Sequence, residues 1–194
     1  MKEKIWGQKA ANKPDPNEVG VSGSTIFFYT GVNKPHVLEM NKHLHNLEVK
    51  HLTESQIFEI EPPPIRLRIN SGGGLIVAGV AGMDNIRTLK APVYTIIDGF
   101  CASAATFLSV VGEKRYITEN SFMLIHQLST SFWGKYEEFE DEKKNLDLMM
   151  KMIKSVYNKY TNIPANELDK ILKRDLMLDA KKCLKWGLVD EIIE

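Results

Sequence analysis

The stretch Ile65-Arg-Leu-Arg-Ile-Asn-Ser-Gly-Gly-Gly74 contains the transition that decides the fold. Apolar residues alternate with the two arginines, and this period of two predicts a β-strand with one wetter face. Three glycines then form a turn, and residues 75–89 have the pattern of a helix. Because glycine tolerates positive φ and close backbone approach, such a turn can expose amide groups to a ligand. Taken alone, the three glycines are better explained as a plain structural turn, since both nucleotide-binding fingerprints are absent and glycine turns are common.

Strands and helices alternate on both sides of this unit. Residues 24–30 predict a buried strand, and a helix with apolar residues at helical spacing begins at Asn33 and Pro35. Residues 93–97 predict the next strand, which leads into a helix of small residues at 102–111. The remaining predicted elements are strands at 115–118 and 122–125, a long helical stripe from Tyr136 to Tyr160, a short helix after Pro164, and a last helix between Asp179 and Gly187. This alternation predicts the α/β class.

Composition narrows the range of functions. The 194 residues fit one domain, and 43% hydrophobic with 26% charged residues is typical of a globular chain. Lys+Arg and Asp+Glu both total 25, so the zero net charge argues against nucleic acid or an anionic membrane as a partner. We predict no transmembrane helix, because no uncharged run reaches the roughly 20 apolar residues required.

The composition of the N-terminal segment predicts less regular structure than that of the rest of the chain. Residues 1–23 are polar and rich in proline and glycine, so we expect a mobile arm ahead of a domain at 24–194. The first residues lack the apolar stretch of a secretory signal, which predicts a cytoplasmic protein. Cys101 and Cys183 follow no metal-ligand or redox spacing, so we expect neither a metal site nor a disulfide scaffold.

Two residues are candidates for nucleophilic chemistry. Ser103 follows a predicted strand among small residues, as a nucleophile would at a strand-to-helix turn, although a helix cap or close packing explains it as well. His126 ends an apolar strand, where α/β proteins build sites, although a hydrogen-bonded core histidine is an alternative. The sequence alone does not establish that these two residues meet.

Five segments, taken in order, resemble the motifs of the ClpP family of serine peptidases. The resemblance covers about residues 24–194, and its specificity comes from the order and compatible spacing of the five pieces. They are Ile69-Asn-Ser-Gly-Gly-Gly74, Gly99-Phe-Cys-Ala-Ser103, Ile125-His-Gln127, Thr161 with Arg174-Asp175, and Gly187-Leu-Val-Asp190. The chain departs from the family pattern at Gly72, Cys101, Ala104 and Leu128, none of which removes a catalytic atom.

The resemblance implies a fold, a site and an assembly. The fold is the ClpP/crotonase-like arrangement of repeated β-β-α units with a protruding handle helix near residues 135–160 that joins two rings. Ser103 resembles the nucleophile, His126 the base and Asp175 the residue that orients it, with the Gly74 and Ala104 amides as the oxyanion hole. No metal or organic cofactor is implied. The expected partners are a polypeptide substrate, further copies of the chain in stacked heptameric rings, and an AAA+ unfoldase that would use ATP.

Other interpretations of these residues remain open. Asp175 has no local structural role, unlike Asp179, which is predicted to cap a helix, but an ion pair with an arginine would also explain it. The chain is interpreted as a serine endopeptidase, with an inactive ClpP-like ring subunit as the alternative. A crotonase-type acyl-CoA enzyme is a third interpretation, although the glycine-turn helix lacks the additional carboxylate that such chemistry usually requires.

Overall fold

The computed structural model describes residues 19–194, which contain eight strands and six helices. The strands are β1 (Val19–Ser22), β2 (Thr25–Phe28), β3 (Ile65–Ser71), β4 (Val93–Ala102), β5 (Lys114–Thr118), β6 (Phe122–Leu124), β7 (Met177–Asp179) and β8 (Glu191–Ile193). The helices are α1 (Lys34–Phe58), α2 (Ile76–Thr88), α3 (Ala105–Val110), α4 (Tyr136–Tyr160), α5 (Ala165–Ile171) and α6 (Ala180–Lys185). The predicted α/β class is confirmed.

The strands form one sheet with a branch at its centre. Its main order is β1-β2-β3-β4-β5-β8, and every pair in it is parallel except the hairpin of β1 and β2. The second half of β4 pairs in parallel with β6, which pairs antiparallel with β7. This branch lies beyond the carboxyl end of β5, where β4 exchanges β5 for β6 as its neighbouring strand.

A bend in β4 produces the branch. Ile97 pairs with Ile117 of β5, whereas Phe100 pairs with Phe122 of β6. Gly99 between them has a φ of +84°, and its amide donates to the side-chain oxygen of Ser121 at 2.6 Å. Glycine permits this conformation at little cost, so β4 bends away from β5 and carries its last residues toward a new neighbour.

The core follows the alternation that the sequence predicts. Ile65, Leu67 and Ile69 are fully buried, while Arg66 is exposed on the other face of β3. Apolar residues of α1, α2 and α3 complete this core. Helix α1 begins as predicted, because the Asn33 side chain accepts a hydrogen bond from the His36 amide at 2.8 Å.

The N-terminal segment and the end of β4 are two places where the structure differs from the sequence prediction. Val19–Ser22 form β1 instead of belonging to the predicted mobile arm, because Val19 is buried and the strand is hydrogen-bonded to β2. The rest of the predicted arm, residues 1–18, lies outside the described residues. Strand β4 continues to Ala102 and α3 begins only at Ala105, because pairing with β6 extends the strand. Ser103 therefore lies in the turn between them.

Helix α4 lies where the resemblance implies a handle helix. Its buried residues, Ile153, Val156 and Tyr157, all lie in its C-terminal half. Residues 136–149 contain no buried residue. The apolar stripe predicted from Tyr136 to Tyr160 therefore has two parts. Only its C-terminal part packs in the core of the chain.

Candidate functional site

The carboxyl ends of β3, β4 and β6 converge on one cleft of about 1150 Å³. Its walls are formed by the glycine turn after β3, the end of β4, the segment after β6, and the N-terminal half of α4. Its polar lining includes Ser103, His126 and Asp175. The structure thus brings all three predicted triad residues to the same cleft.

Ser103 occupies a strained turn at the end of β4. Its φ of +54° is in the left-handed region, which a residue with a Cβ enters at a cost on the order of 1 kcal/mol. The turn is held by the Ser103 amide, which donates to the Leu124 carbonyl at 2.8 Å. The residue at the N-cap of α3 is Ala104, and no side chain caps that helix. The cap interpretation of Ser103 is therefore wrong, and its side chain lines the cleft instead.

His126 and Asp175 are brought together by strand pairing. In the β6–β7 register, Met123 lies opposite Leu178 and Leu124 opposite Met177. The pairing ends at Leu124 and Met177, which lie two residues from His126 and Asp175 respectively. Their side chains are 3.4 Å apart, between His126 Nδ1 and an Asp175 carboxylate oxygen. The imidazole is the less exposed of the two, with 26% of its side chain accessible against 43% for Asp175.

The pairing of His126 through Nδ1 leaves Nε2 available to the cleft. The next residue fixes the local backbone, because the Gln127 amide donates to the Leu172 carbonyl at 2.6 Å. Within residues 19–194, no hydrogen bond joins the Ser103 hydroxyl to the imidazole. The two side chains share the cleft without a direct hydrogen bond.

The glycine turn packs directly against Ser103. Gly73 has a φ of +91°, and a Cβ built on it would lie 2.6 Å from Ser103 Cβ and 2.6 Å from the Ala102 carbonyl oxygen. Any side chain at this position would therefore collide with the turn that carries the serine. The sequence indicates that the three glycines can expose backbone amides. The structure shows that Gly73 also allows the glycine turn to approach the Ser103 turn closely.

Two backbone amides beside Ser103 are candidates for anion binding. The neighbours of Gly74 in the chain are both held, since the Gly73 carbonyl accepts from the Val32 amide and the Leu75 amide donates to the Val32 carbonyl, each at 2.8 Å. Among the described residues, the Gly74 and Ala104 amides donate to no backbone carbonyl outside regular helices and strands. Both belong to the turns that line the cleft.

The other aspartates have separate partners. Asp179 caps α6 by accepting from the Lys182 amide at 2.7 Å, as the sequence predicts. Asp169 pairs with Lys154 at 2.6 Å, and Asp190 pairs with Arg115. Of these aspartates, Asp175 alone is paired with a histidine of the cleft.

Cys101 lies two residues before Ser103 but is not available as a competing nucleophile. Its side chain is fully buried, and burial raises the pKa of the thiol to about 12. Burial also raises the pKa of the Cys183 thiol to about 12. Since the thiolate is the reactive form, neither residue offers chemistry near neutral pH.

The sequence did not predict that α4 forms part of the wall of the cleft. Glu142, Leu146 and Met149 line the same cleft as the glycine turn. The sequence places Leu146 and Met149 only in the apolar stripe of the handle helix. Their spacing of four and three residues puts them with Glu142 on one helix face, but the sequence does not show which surface that face meets.

Comparison with known proteins agrees with this geometry. The family model for Clp protease matches residues 22–194. The chain belongs to the Clp protease family. An ATP-dependent Clp protease proteolytic subunit from Deinococcus radiodurans is 34% identical over 132 residues, which span 67% of this chain and 65% of that relative. A ClpP1 mutant from Listeria monocytogenes has a similar structure, with a TM-score of 0.75 and 28% identity over 88% of this chain and 91% of that one.

Two of the four departures of this Clp protease family member from the motif pattern, Ala104 and Leu128, make contacts that the structure describes. Ala104 is buried, so its side chain serves packing. The Leu128 amide donates to Met150 Sδ at 3.4 Å, a contact that a proline at this position would lack. No helix among residues 19–194 is long and apolar enough to cross a membrane. The cytoplasmic location stays a prediction.

Proposed function

We propose that this Clp protease family member is a serine endopeptidase that hydrolyses peptide bonds in unfolded polypeptides or short peptides. The observation that carries the proposal is the 3.4 Å pair of His126 and Asp175 in the cleft that Ser103 also lines. A nucleophile, a base and a group that orients the base are the three parts of a catalytic triad for acyl transfer.

Ser103 Oγ would attack the carbonyl carbon of the scissile peptide bond. Asp175 holds His126 through Nδ1, so Nε2 accepts the serine proton as the new C–O bond forms. His126 then gives this proton to the leaving nitrogen as the C–N bond breaks. Water hydrolyses the resulting ester by the same route, which regenerates the serine hydroxyl.

The Gly74 and Ala104 amides would bind the negative oxygen of the tetrahedral intermediate. Their lack of a carbonyl partner among the described turn and loop hydrogen bonds supports this role. Fixed N–H donors contribute most where charge develops during the reaction, and one such donor is worth about 3 kcal/mol of transition-state stabilisation. This mechanism draws all its groups from the chain itself.

One observation favours a second candidate, a structural or regulatory ring subunit with little activity. Within the described residues, Ser103 and His126 are not hydrogen-bonded to each other. Such bonds are often long in the absence of substrate and tighten in the complex, which is why we favour the peptidase.

A fluorophosphonate probe distinguishes the two candidates. The peptidase should be labelled at Ser103 and should cleave a fluorogenic peptide, and the Ser103→Ala variant should do neither. A wild-type protein that is folded but neither labelled nor active would support the structural subunit instead.

We further propose that the chain forms stacked heptameric rings that enclose the clefts in a chamber and work with an AAA+ unfoldase. Exposed aromatic side chains near the start of α4 support self-association, since Trp133 is 98% and Tyr136 77% accessible in the single chain. Sedimentation should give seven or fourteen times the mass of one chain. The mass of one subunit would contradict this assembly.

A further inference from the structure

Helix α4 presents a carboxylate to the cleft. Glu142, Leu146 and Met149 are the residues of α4 that line it, and their spacing of four and three residues places them on one face. Glu142 is the residue of the three nearest the helix N-terminus, about 6 Å along the axis from Leu146. This face of α4 is therefore acidic at Glu142, toward the helix N-terminus, and apolar at Leu146 and Met149.

The Glu142 carboxylate has no cationic partner within residues 19–194. The residues three and four positions away on the helix surface are Glu138, Phe139, Asn145 and Leu146, none of which is basic. The nearby Lys144 is paired instead with Asp141 at 3.0 Å. Glu142 is partly buried in the wall of the cleft, and no lysine or arginine among the described residues forms an ion pair with it.

The rest of the cleft does not balance this charge. Among its described lining residues there is no lysine or arginine, and the other carboxylate, Asp175, is paired with His126. The walls are otherwise mainly apolar, including Val77, Phe100 and Leu124. A single unpaired carboxylate between apolar walls attracts a cation more strongly than the same group on an open surface.

We propose that Glu142 is a specificity-determining residue that binds a lysine or arginine side chain of the peptide substrate. The inference rests on the proposed peptidase function. A basic side chain suits this face of α4, because its aliphatic stem can pack on Leu146 while its charged end reaches Glu142. An acidic side chain at the same position would meet an unpaired like charge and be disfavoured.

Binding to the Ser103→Ala protein tests the inference without requiring turnover. Fluorescence anisotropy would compare dye-labelled peptides that differ at one position, which carries Lys, Gln or Glu and is moved along an apolar frame. We expect one position at which the Lys peptide binds about fivefold more tightly than the Glu peptide, the size of a partly exposed ion pair. This ratio should shrink in high salt.

Variants of Glu142 and of its neighbour Asp141 test whether Glu142 causes the preference for the Lys peptide. Glu142→Gln should bring the ratio of Lys to Glu peptide affinities close to one, and Glu142→Lys should invert it. Asp141→Asn is the matched control, since this neighbour is exposed and paired with Lys144, and it should keep the ratio of the parent protein. A ratio near one in the parent protein at every position, or one that Glu142→Gln leaves unchanged, would overturn the inference.

Failure of the inference can be told apart from failure of the proposed function. Cleavage of the Gln peptide by the wild-type protein, together with probe labelling at Ser103, reports on the peptidase itself. Cleavage without a charge preference would reject the role of Glu142 alone. A charge preference in binding without cleavage or labelling would support the role of Glu142 and reject the peptidase.

Discussion

His126 Nδ1 and an Asp175 carboxylate oxygen are 3.4 Å apart, just beyond the end of the β6–β7 pairing. The two residues are far apart in the chain, and helices α4 and α5 lie between them. The pairing of the short strands β6 and β7 therefore positions Asp175 next to His126. The pairing also links the site to the docking of α4 and α5, since Gln127 is bonded to Leu172 at the end of α5.

Replacing Ser103 with alanine should abolish peptide cleavage, with a loss on the order of 10⁶ in kcat, because the nucleophile is removed. Circular dichroism and sedimentation should stay as in the wild type, since no core volume is lost. Ser109→Ala is a control on the neighbouring helix, where the hydroxyl donates to the Thr106 carbonyl at 3.0 Å. Retained cleavage by Ser103→Ala would reject the serine assignment.

Asp175→Asn should lower kcat by about 10⁴, because an amide favours the wrong tautomer of His126. Asp179→Asn should be mild, because asparagine also caps helices and can accept from the Lys182 amide. Turnover of a fluorogenic peptide measures both. Similar losses in the two variants would show that the His126–Asp175 pair has no special role.

The contact between Gly73 and Ser103 predicts different outcomes for two adjacent glycines. Gly73→Ala should destabilise the fold by about 2 kcal/mol and reduce probe labelling, because its methyl group would collide with the Ser103 turn. Gly72→Ala is the matched control, since nothing lies within 4 Å of a methyl group there. Thermal unfolding and labelling rates measure both effects, and equal behaviour of the two variants would contradict the packing argument.

Neither cysteine should react with a thiol reagent in the folded protein. Both side chains are inaccessible, and burial raises the pKa of the Cys101 thiol to about 12, so little of the reactive thiolate is present near neutral pH. A disulfide-exchange reagent should detect two thiols in denaturant and none without it. Rapid modification of the native protein would show that the core around β4 and α6 opens.

The ion pair of Arg115 and Asp190 predicts a change in stability with pH. Burial raises the pKa of Asp190, but the hydrogen bonds and charge of Arg115 outweigh it, so the pKa lies below the ordinary 3.8. The stabilisation is then fully present above about pH 4, the ordinary range of an aspartate, and is lost as the pH falls through the lower folded value. Asp190→Asn should lower the melting temperature by about 3 °C at neutral pH.

This difference in melting temperature between wild type and Asp190→Asn should be constant from about pH 5 to about pH 7 and shrink below about pH 4. Comparing the two proteins cancels the contribution of the other carboxylates. A difference that persists unchanged to about pH 2 would show that the charge of Asp190 is not the source of the stabilisation.

Local patterns in the sequence were sufficient for most of the elements. The alternation in β3, the Asn33 cap of α1 and the Asp179 cap of α6 are determined by neighbouring residues, and the structure confirms all three. Strands β1, β7 and β8, of three or four residues each, were missed, whereas the equally short β2 and β6 were predicted within the longer runs 24–30 and 122–125. Strand β1 is formed by a hairpin with β2, and β7 and β8 are formed by pairing with β6 and β5, which are distant in the chain. The sequences of these three strands carry little signal of their own.

The sequence by itself determined the chemical types at the site and their order along the chain, because a serine after a strand, a histidine at a strand end and a glycine turn are local features. Only the tertiary structure decided that Asp175 meets His126, that Gly73 supports Ser103, and that Glu142 faces the same cleft. These relationships depend on strand register and on the docking of α4. Both are set by contacts between residues far apart in sequence, which local periodicity does not report.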